Sequence, residues 1–151
     1  MEVPEPISVR CSALVIREER LLVCHREADD AWVLPGGSPH RNEGARDCAE
    51  REVQQETGIA IRPGGVALVF DVTNSSGNQH LFEIVFDAEE VDAQTVPEGS
   101  EGGLVPMFVA LDSLNELPLH PSLGDQVRRF ADHVPSVTAP YLGNLWAPAS
   151  A

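Results

Sequence analysis

Apolar and β-branched residues occur along the chain in short runs that are separated by polar segments rich in Gly and Pro. This pattern is typical of β-strands joined by turns. It predicts a first pair of strands that forms a hairpin, followed by four more, at residues 7–16, 21–25, 32–34, 66–72, 80–87 and 104–111. Residues 63–65 (Pro-Gly-Gly) predict an interruption before the fourth strand, and Pro106 predicts a break in the last one.

A helical pattern begins near Glu43, where apolar residues return at intervals close to 3.6. Asn42 is the expected N-cap of this helix and Gly58 the expected C-cap. A short capped turn is predicted at residues 112–114 and a second, weaker helix at residues 122–133. Strands before and after one main helix predict a mixed α/β or α+β sandwich, in which helices cover a sheet.

The size and charge of the chain limit the classes of partner. Its 151 residues suit a single domain, and its 24 acidic against 10 basic residues give a formal net charge of −14. This charge disfavours large nucleic acids and anionic membranes as partners, whereas a small phosphorylated substrate is compatible with it if cations neutralise the site. No apolar run approaches the ~20 residues of a membrane helix. The N-terminus lacks the features of a signal peptide, so we expect a cytoplasmic protein.

The cysteines and histidines give little indication of chemistry. The three cysteines (positions 11, 24 and 48) show no C-x-x-C spacing, and the five histidines show no metal-ligand spacing. We expect reduced, buried thiols and surface or structural histidines. A cysteine nucleophile or a zinc site is the alternative.

The main helix and the glycine pair that precedes it form the strongest candidate site. Glu52 and Glu56 stand four residues apart, so they lie on one face of the helix. Two such carboxylates beside a glycine turn can hold a hard divalent cation, which prefers oxygen ligands. Gly36 and Gly37 let the backbone approach a metal or a phosphate, which makes Gly37 a candidate for substrate binding. The alternative is a solvated helix beside an ordinary turn.

The spacing of this segment resembles the Nudix box, G-x₅-E-x₇-R-E-U-x-E-E-x-G-U, in which U is aliphatic. Eight of the nine specified positions match, namely Gly37, Glu43, Arg51, Glu52, Val53, Glu56, Gly58 and Ile59. The preceding run W-V-L-P-G-G, residues 32–37, is also similar to the family. The resemblance is specific over residues 31–59 and looser over residues 9–129.

The resemblance implies a Nudix-type α/β/α sandwich with a mixed sheet flanked by helices. It also implies Mg²⁺-dependent hydrolysis of a nucleoside diphosphate linked to a moiety X, or of a nucleoside triphosphate, with release of a nucleoside monophosphate and with Mn²⁺ as a substitute metal. By position, Glu52, Glu56 and the Gly36 carbonyl would bind the metal, and Glu52 would help to deprotonate the attacking water. Arg51 would orient a box glutamate, with Glu43 supporting that network.

Gln55 is the one departure from the box, because it stands where the family has the first glutamate of a pair. A glutamine carbonyl can ligate a hard cation, but it brings no negative charge. We therefore expect weaker affinity for a second or third Mg²⁺. The alternative function is a catalytically weak or inactive Nudix domain that acts as a nucleotide-binding or regulatory module.

Candidates outside the box come from the loops and strand ends. The family resemblance implies a general base there, for which Glu98 and Glu101 in the acidic loop at residues 89–103 are the candidates; each is otherwise a solvated charge. Glu83 points either into the cleft or to solvent. Arg26 either grips a phosphate or pairs with a loop acid.

The chain divides into a Nudix domain at residues 1–134 and a Pro-rich C-terminal extension at residues 135–151. We expect the extension to form an extended arm, with its aromatic residues packed on the body of the protein or on a second subunit, as in a homodimer.

Overall fold

Two packed β-sheets and the helices that cover them make up the part of the chain described by the computed structural model, residues 6–73, 79–99, 102–133 and 141–145. The strands are β1 (Ser8–Leu14), β2 (Ile16–Arg17), β3 (Arg20–Arg26), β4 (Ala31–Val33), β5 (Gly36–Gly37), β6 (Ile61–Thr73), β7 (His80–Glu90), β8 (Leu104–Ala110) and β9 (Tyr141–Asn144). The helices are α1 (Ala45–Thr57), a 3₁₀-helix (Leu111–Glu116) and α2 (Gly124–Ala131).

The first sheet is mixed and has the strand order β5-β1-β7-β6-β9. Strand β1 runs parallel to β7, and β6 runs parallel to β9, whereas β1–β5 and β6–β7 are antiparallel pairs. Residues 11–14 of β1 are all buried because both faces of the sheet are covered there. The predicted mixed sheet flanked by helices is therefore confirmed.

The second sheet is antiparallel and consists of β2, β3, β4 and β8. The predicted hairpin of the first two strands is wrong for most of its length, because only Ile16 and Arg17 pair with the start of β3. Strand β1 already has β5 and β7 as its two neighbours in the first sheet, so neither of its edges is free for β3. The chain therefore changes sheet at Val15.

Two predicted interruptions are absent from the strands. Strand β6 continues through residues 63–65, where irregularities between Pro63 and Val66 and between Val66 and Leu68 absorb the Pro-Gly-Gly segment. Strand β8 continues through Pro106, which pairs with Cys24. Within the described residues β8 has β3 as its one neighbour, and proline is tolerated on an edge strand of this kind.

Helix α1 begins later than predicted. Its N-cap is Gly44, without a side-chain cap, so the assignment of Asn42 is wrong. A tight turn competes with that cap: the Glu43 amide donates to the His40 carbonyl at 3.0 Å, and Asn42 is left-handed with φ of 65°. Gly58 is the C-cap as predicted, with φ of 74° and its amide bonded to the carbonyl of Gln54.

The later elements follow the sequence pattern with adjusted limits. The 3₁₀-helix contains the predicted turn at residues 112–114, and α2 occupies the middle of the predicted helix at residues 122–133. No helix in the described ranges is both long and apolar enough to cross a membrane. The three cysteines are free and buried, as expected.

The main core lies between the two sheets and is closed at one side by the 3₁₀-helix and α2. Its buried residues include Leu14, Phe70 and Val85 of the first sheet, Leu21 and Val23 of the second, Leu111, Leu114 and Val127 of the helices, and Leu123 at the N-cap of α2. Two smaller clusters under α1 contain its buried residues Cys48, Ala49 and Val53. This packing fixes α1 against the first sheet and sets the direction of its polar face.

Part of the C-terminal extension belongs to the first sheet. Strand β9 pairs with β6, and the Tyr141 ring lies 6.5 Å from that of Phe82, so this aromatic residue packs on the body of the protein. Trp146 and most of the predicted hairpin loop at residues 73–79 lie outside the described residues. The division at residue 134 stays a prediction.

Candidate active site

The glycine pair forms strand β5 and lies flat against β1. Gly36 pairs with Ser12 and Gly37 with Cys11. A Cβ atom on Gly36 would lie 2.4 Å from the Cys11 carbonyl oxygen and 2.7 Å from the Ser12 Cα, so no larger residue fits there without opening the sheet. The glycines thus bring bare backbone to the edge of the sheet beside α1.

Two carboxylates of α1 converge on these glycines. The Gly36 amide donates to Glu56 Oε2 at 3.0 Å, and Glu56 is only 8% exposed. The carboxylate of Glu52 packs on Gly37 so closely that an added Cβ would lie 2.4 Å from Glu52 Cδ. The structure therefore brings together Gly36, Gly37, Glu52 and Glu56, as their spacing in sequence predicts.

Arg51 ties the helix to the loop before it. Its guanidinium donates to both carboxylate oxygens of Glu43 at 2.8 Å and to Glu52 Oε1 at 2.8 Å. A further bond at 3.2 Å reaches the Ser38 carbonyl. Arg51 thus holds Glu43 bidentately, and the same guanidinium fixes the direction of Glu52.

This network keeps Glu43 ionised. The hydrogen bonds from Arg51, followed by that from the His40 amide, lower the pKa of Glu43 to about 2. The same partnership raises the pKa of Arg51. The pair is therefore charged at any pH at which an enzyme is assayed.

Gln55 is placed differently from the two glutamates. Its side chain is exposed, and its amide oxygen accepts a hydrogen bond from Arg51 at 3.0 Å. Gln55 thus joins the Arg51 network. The carboxylates that contact the glycine pair are those of Glu52 and Glu56.

The donor atoms fit a hard cation that retains part of its hydration. Glu52 and Glu56 offer carboxylate oxygens, and the third candidate donor is the Gly36 carbonyl oxygen, which accepts a hydrogen bond from Arg10 at 3.4 Å. Among the described residues no group of three or more His, Cys, Asp or Glu side chains lies close enough together to hold a metal. Mg²⁺ commonly binds through one or two carboxylates and completes its octahedron with waters and substrate phosphates, so this sparse donor set suits it.

A cavity of about 630 Å³ opens beside Glu56. It is lined by Gly36 and Glu56 and by further polar residues that include Arg10, Arg26, His80 and Glu83. Its volume is in the range of small-molecule sites, ~300–1,000 Å³. The metal-type donors and the cavity are therefore parts of one site.

A buried charge cluster in this cavity extends the site beyond the box. Glu83 is 3% exposed, and its Oε2 accepts hydrogen bonds from the Ser12 hydroxyl at 2.7 Å and from Arg10 at 3.0 Å. Arg10 also donates to the carbonyl of Leu34 at 2.5 Å and to that of Gly36 at 3.4 Å. Glu83 thus points into the cleft. The sequence analysis did not identify Arg10. The signal that could have indicated it is the presence of a charged residue inside each of two apolar strands, Arg10 in β1 and Glu83 in β7.

The remaining candidates are placed less favourably. Arg26 lines the cavity, but its guanidinium is paired with Asp29 at 2.8 and 2.9 Å, so the ion pair with a loop acid is present. Glu98 is exposed beside the end of α1, where its amide donates to the Thr57 carbonyl at 2.9 Å, and it does not line the cavity. Glu101 lies outside the described residues.

Comparison with known proteins gives the family. The NUDIX domain model matches residues 7–130. The chain is 29% identical over 110 residues to the uncharacterized Nudix hydrolase YvcI of Bacillus subtilis, covering 71% of this chain and 68% of that protein. It is 26% identical over 151 residues to human diphosphoinositol polyphosphate phosphohydrolase 3-alpha, covering 97% and 90%. The crystal structure of the MutT protein from Methanosarcina mazei has the same fold, with a TM-score of 0.72 and 24% identity over 87% of this chain and 98% of that one. The chain therefore belongs to the Nudix hydrolase family, whose members act on pyrophosphate bonds.

Proposed function

We propose that this protein is a Mg²⁺-dependent pyrophosphohydrolase that cleaves the diphosphate linkage of a small nucleotide and releases a nucleoside monophosphate. The substrate is a nucleoside diphosphate linked to a moiety X or a nucleoside triphosphate. The observation that carries this proposal is the convergence of Glu52 and Glu56 on Gly36 and Gly37, of which Gly36 and Glu56 line the cavity. Family membership supports the reaction class.

The metal would be held by the carboxylates of Glu52 and Glu56 and by the Gly36 carbonyl, with Gln55 as a further oxygen donor and Mn²⁺ as a substitute ion. When bound, a divalent cation neutralises charge on the phosphoryl oxygens and lowers the pKa of water. Since the chain carries a net charge of −14, this local neutralisation is what allows an anionic substrate to bind.

The chain's own residues position the reacting groups. Arg51 holds Glu52 at 2.8 Å, and Glu43 anchors Arg51 from the opposite side. Glu52 is our first candidate for accepting the proton of the attacking water, and Glu98 and Glu101 stay predicted alternatives. Such positioning matters because an error of about 1 Å can cost ~10²-fold in rate.

Arginine side chains supply positive charge where the diphosphate would lie. Arg10 and Arg26 both line the cavity that contains Glu56. Arg26 is the residue predicted to grip a phosphate, and to do so it would exchange its exposed ion pair with Asp29 for the substrate. Because surface ion pairs of this kind contribute little stability, the exchange costs little.

Turnover of a substrate panel is the test of this function. The panel contains nucleoside triphosphates, nucleoside diphosphate sugars, dinucleoside polyphosphates and a diphosphoinositol polyphosphate, each assayed with Mg²⁺ and with a chelator. We expect release of a nucleoside monophosphate from at least one nucleotide, with Mg²⁺ and not with the chelator. Absence of turnover across the panel with folded protein would refute the proposal.

Gln55 supports a second candidate, a binding or regulatory Nudix domain that hydrolyses little or nothing, because it removes one acidic group from the box. Both candidates predict nucleotide affinity, so binding alone does not separate them. Nucleotide binding without turnover in the panel would support the second candidate.

The homodimer stays a prediction, which light scattering tests.

A further inference from the structure

The residues that line the cavity are spread along strand β1, and those near its two ends differ in chemistry. At one end Gly36 pairs with Ser12, and at the other Leu81 pairs with Ser8. Ser8 and Ser12 are four residues apart on one strand, so the two ends are separated by about 13 Å at ~3.3 Å per residue. A substrate whose diphosphate lies beside Gly36 therefore places a remote group near Leu81.

The remote end of the cavity combines aliphatic residues with a histidine. Val72, His80 and Leu81, where β6 and β7 approach their connecting hairpin, all line the cavity. Two aliphatic residues and a histidine suit a flat heteroaromatic ring with hydrogen-bonding edges. The chemical class that fits is a nucleobase.

Strand β9 fixes this remote end through Asp71. The Tyr141 hydroxyl donates to Asp71 Oδ1 at 2.6 Å, while Asp71 Oδ2 lies 2.9 Å from His80 Nε2. The Leu145 amide bonds to the Asp71 carbonyl at 2.9 Å. Asp71 thus connects the C-terminal strand to a residue that lines the cavity.

A second connection runs through Asn144. Its side-chain oxygen accepts a hydrogen bond from the Thr73 amide at 3.1 Å, and its nitrogen donates to the Thr73 hydroxyl at 2.6 Å. Thr73 pairs with His80 across the β6–β7 ladder. Strand β9 lies beyond residues 7–130, which the family model matches, so these connections come from outside the matched domain.

We propose that β9 is a specificity element of the site: Tyr141 and Asn144 are positioning residues that hold the β6–β7 hairpin end, and His80, Val72 and Leu81 there contact the base of the nucleotide. This inference rests on the proposed function and deepens it. It assigns selection among bases to the end of the cavity remote from Glu52 and Glu56.

Equilibrium binding of two matched ligands tests the proposal. An α,β-methylene nucleoside diphosphate carries both base and diphosphate, whereas methylenediphosphonate carries the diphosphate mimic alone, and neither is hydrolysed. For Tyr141→Phe we expect Kd for the nucleotide analogue to rise at least about fivefold, the low end of site-to-site coupling, with Kd for methylenediphosphonate unchanged. Asn144→Ala is the second variant, in case the first folds poorly.

A control and a mutant cycle separate positioning from general destabilisation. Asn115→Ala breaks an exposed hydrogen bond to Asp125 away from the cavity and should leave both Kd values unchanged. If Tyr141 acts through Asp71 on His80, then Tyr141→Phe and His80→Ala should not be additive in their effects on nucleotide binding.

Each result decides one of the two claims. Unchanged nucleotide affinity in both β9 variants, equal weakening of both ligands, or no nucleotide binding by the parent protein would overturn the role of β9. Absence of turnover in the substrate panel would instead refute the proposed function, and the binding measurements stay interpretable in that case.

Discussion

Gly37→Ala separates the proposed chemistry of the site from the stability of the fold. An added Cβ would lie 2.4 Å from Glu52 Cδ and 2.6 and 2.7 Å from its two oxygens, whereas ordinary contact begins at 3.4 Å. The carboxylate must therefore retreat by about 1 Å, a displacement that can cost ~10²-fold in rate. In free energy of activation that loss is about 2.7 kcal/mol.

The fold should tolerate this substitution, because all three close contacts are with the end of one flexible side chain. We expect the melting temperature of Gly37→Ala to stay near that of the parent while kcat on the best panel substrate falls ~10²-fold. Gly65→Ala is the matched control: a Cβ added to this exposed glycine would meet nothing within 4 Å apart from its chain neighbours. A Gly37→Ala variant with parental kcat would refute the role given to the Glu52 carboxylate.

Three further predictions address the neighbouring residues. Gly36→Ala places a Cβ against the backbone of Cys11 and Ser12. Thermal or chemical unfolding should therefore show a free energy of unfolding lower by at least about 2 kcal/mol, as for overpacked sites. Unchanged stability would contradict the close pairing of β5 with β1. The pKa of Glu43 is lowered from 4.5 to about 2, so its ion pair with Arg51 stabilises the fold fully above pH 4.5 and this stabilisation is lost as the pH falls towards 2. The difference in unfolding free energy between the parent and Glu43→Gln should therefore shrink between pH 4.5 and 2. A difference that is constant with pH would exclude the ion pair as its source. Gln55→Glu restores a negative charge to the box and should lower the Mg²⁺ concentration needed for half-maximal turnover, whereas an unchanged requirement would place residue 55 outside the metal site.

The half of the site that lies in one short segment could be predicted from the sequence. Glu52 and Glu56 share a helix face because the helical repeat fixes positions four apart, and the glycine pair precedes the same helix in one short segment. Local spacing therefore predicts the position of these carboxylates relative to Gly36 and Gly37.

The other half depends on pairing between distant strands. Arg10 meets Glu83 across 73 residues because β1 and β7 are parallel neighbours in one register. A register shift of one residue would turn either side chain to the opposite face, and local patterning does not fix the pairing of distant strands. For this reason Glu83 was predicted only as one of two orientations, and Arg10 was missed.

Turn and bulge geometry accounts for two of the errors in the predicted fold, at residues 63–65 and at Asn42. The Pro-Gly-Gly segment at residues 63–65 would interrupt a strand if local preference alone decided. Pairing with β7 on both sides of this segment keeps β6 continuous, and a bulge accommodates it. Asn42 has a good N-cap side chain, but the turn at residues 40–43 uses it in a left-handed conformation. In both cases tertiary or turn contacts outweigh the local preference.

The most direct test of the proposed site is a side-by-side measurement of kcat for Glu52→Gln, Glu56→Gln and Glu50→Gln on the fastest panel substrate. Glu50 is an exposed residue of the same helix, so its variant controls for the loss of one negative charge from α1. We predict that Glu52→Gln and Glu56→Gln each lower kcat by at least ~10²-fold, the low end of a catalytic-group effect, while Glu50→Gln keeps parental activity. Parental activity in either of the first two variants, or an equal loss in all three, would contradict the assignment of catalysis to the carboxylates that converge on the glycine pair.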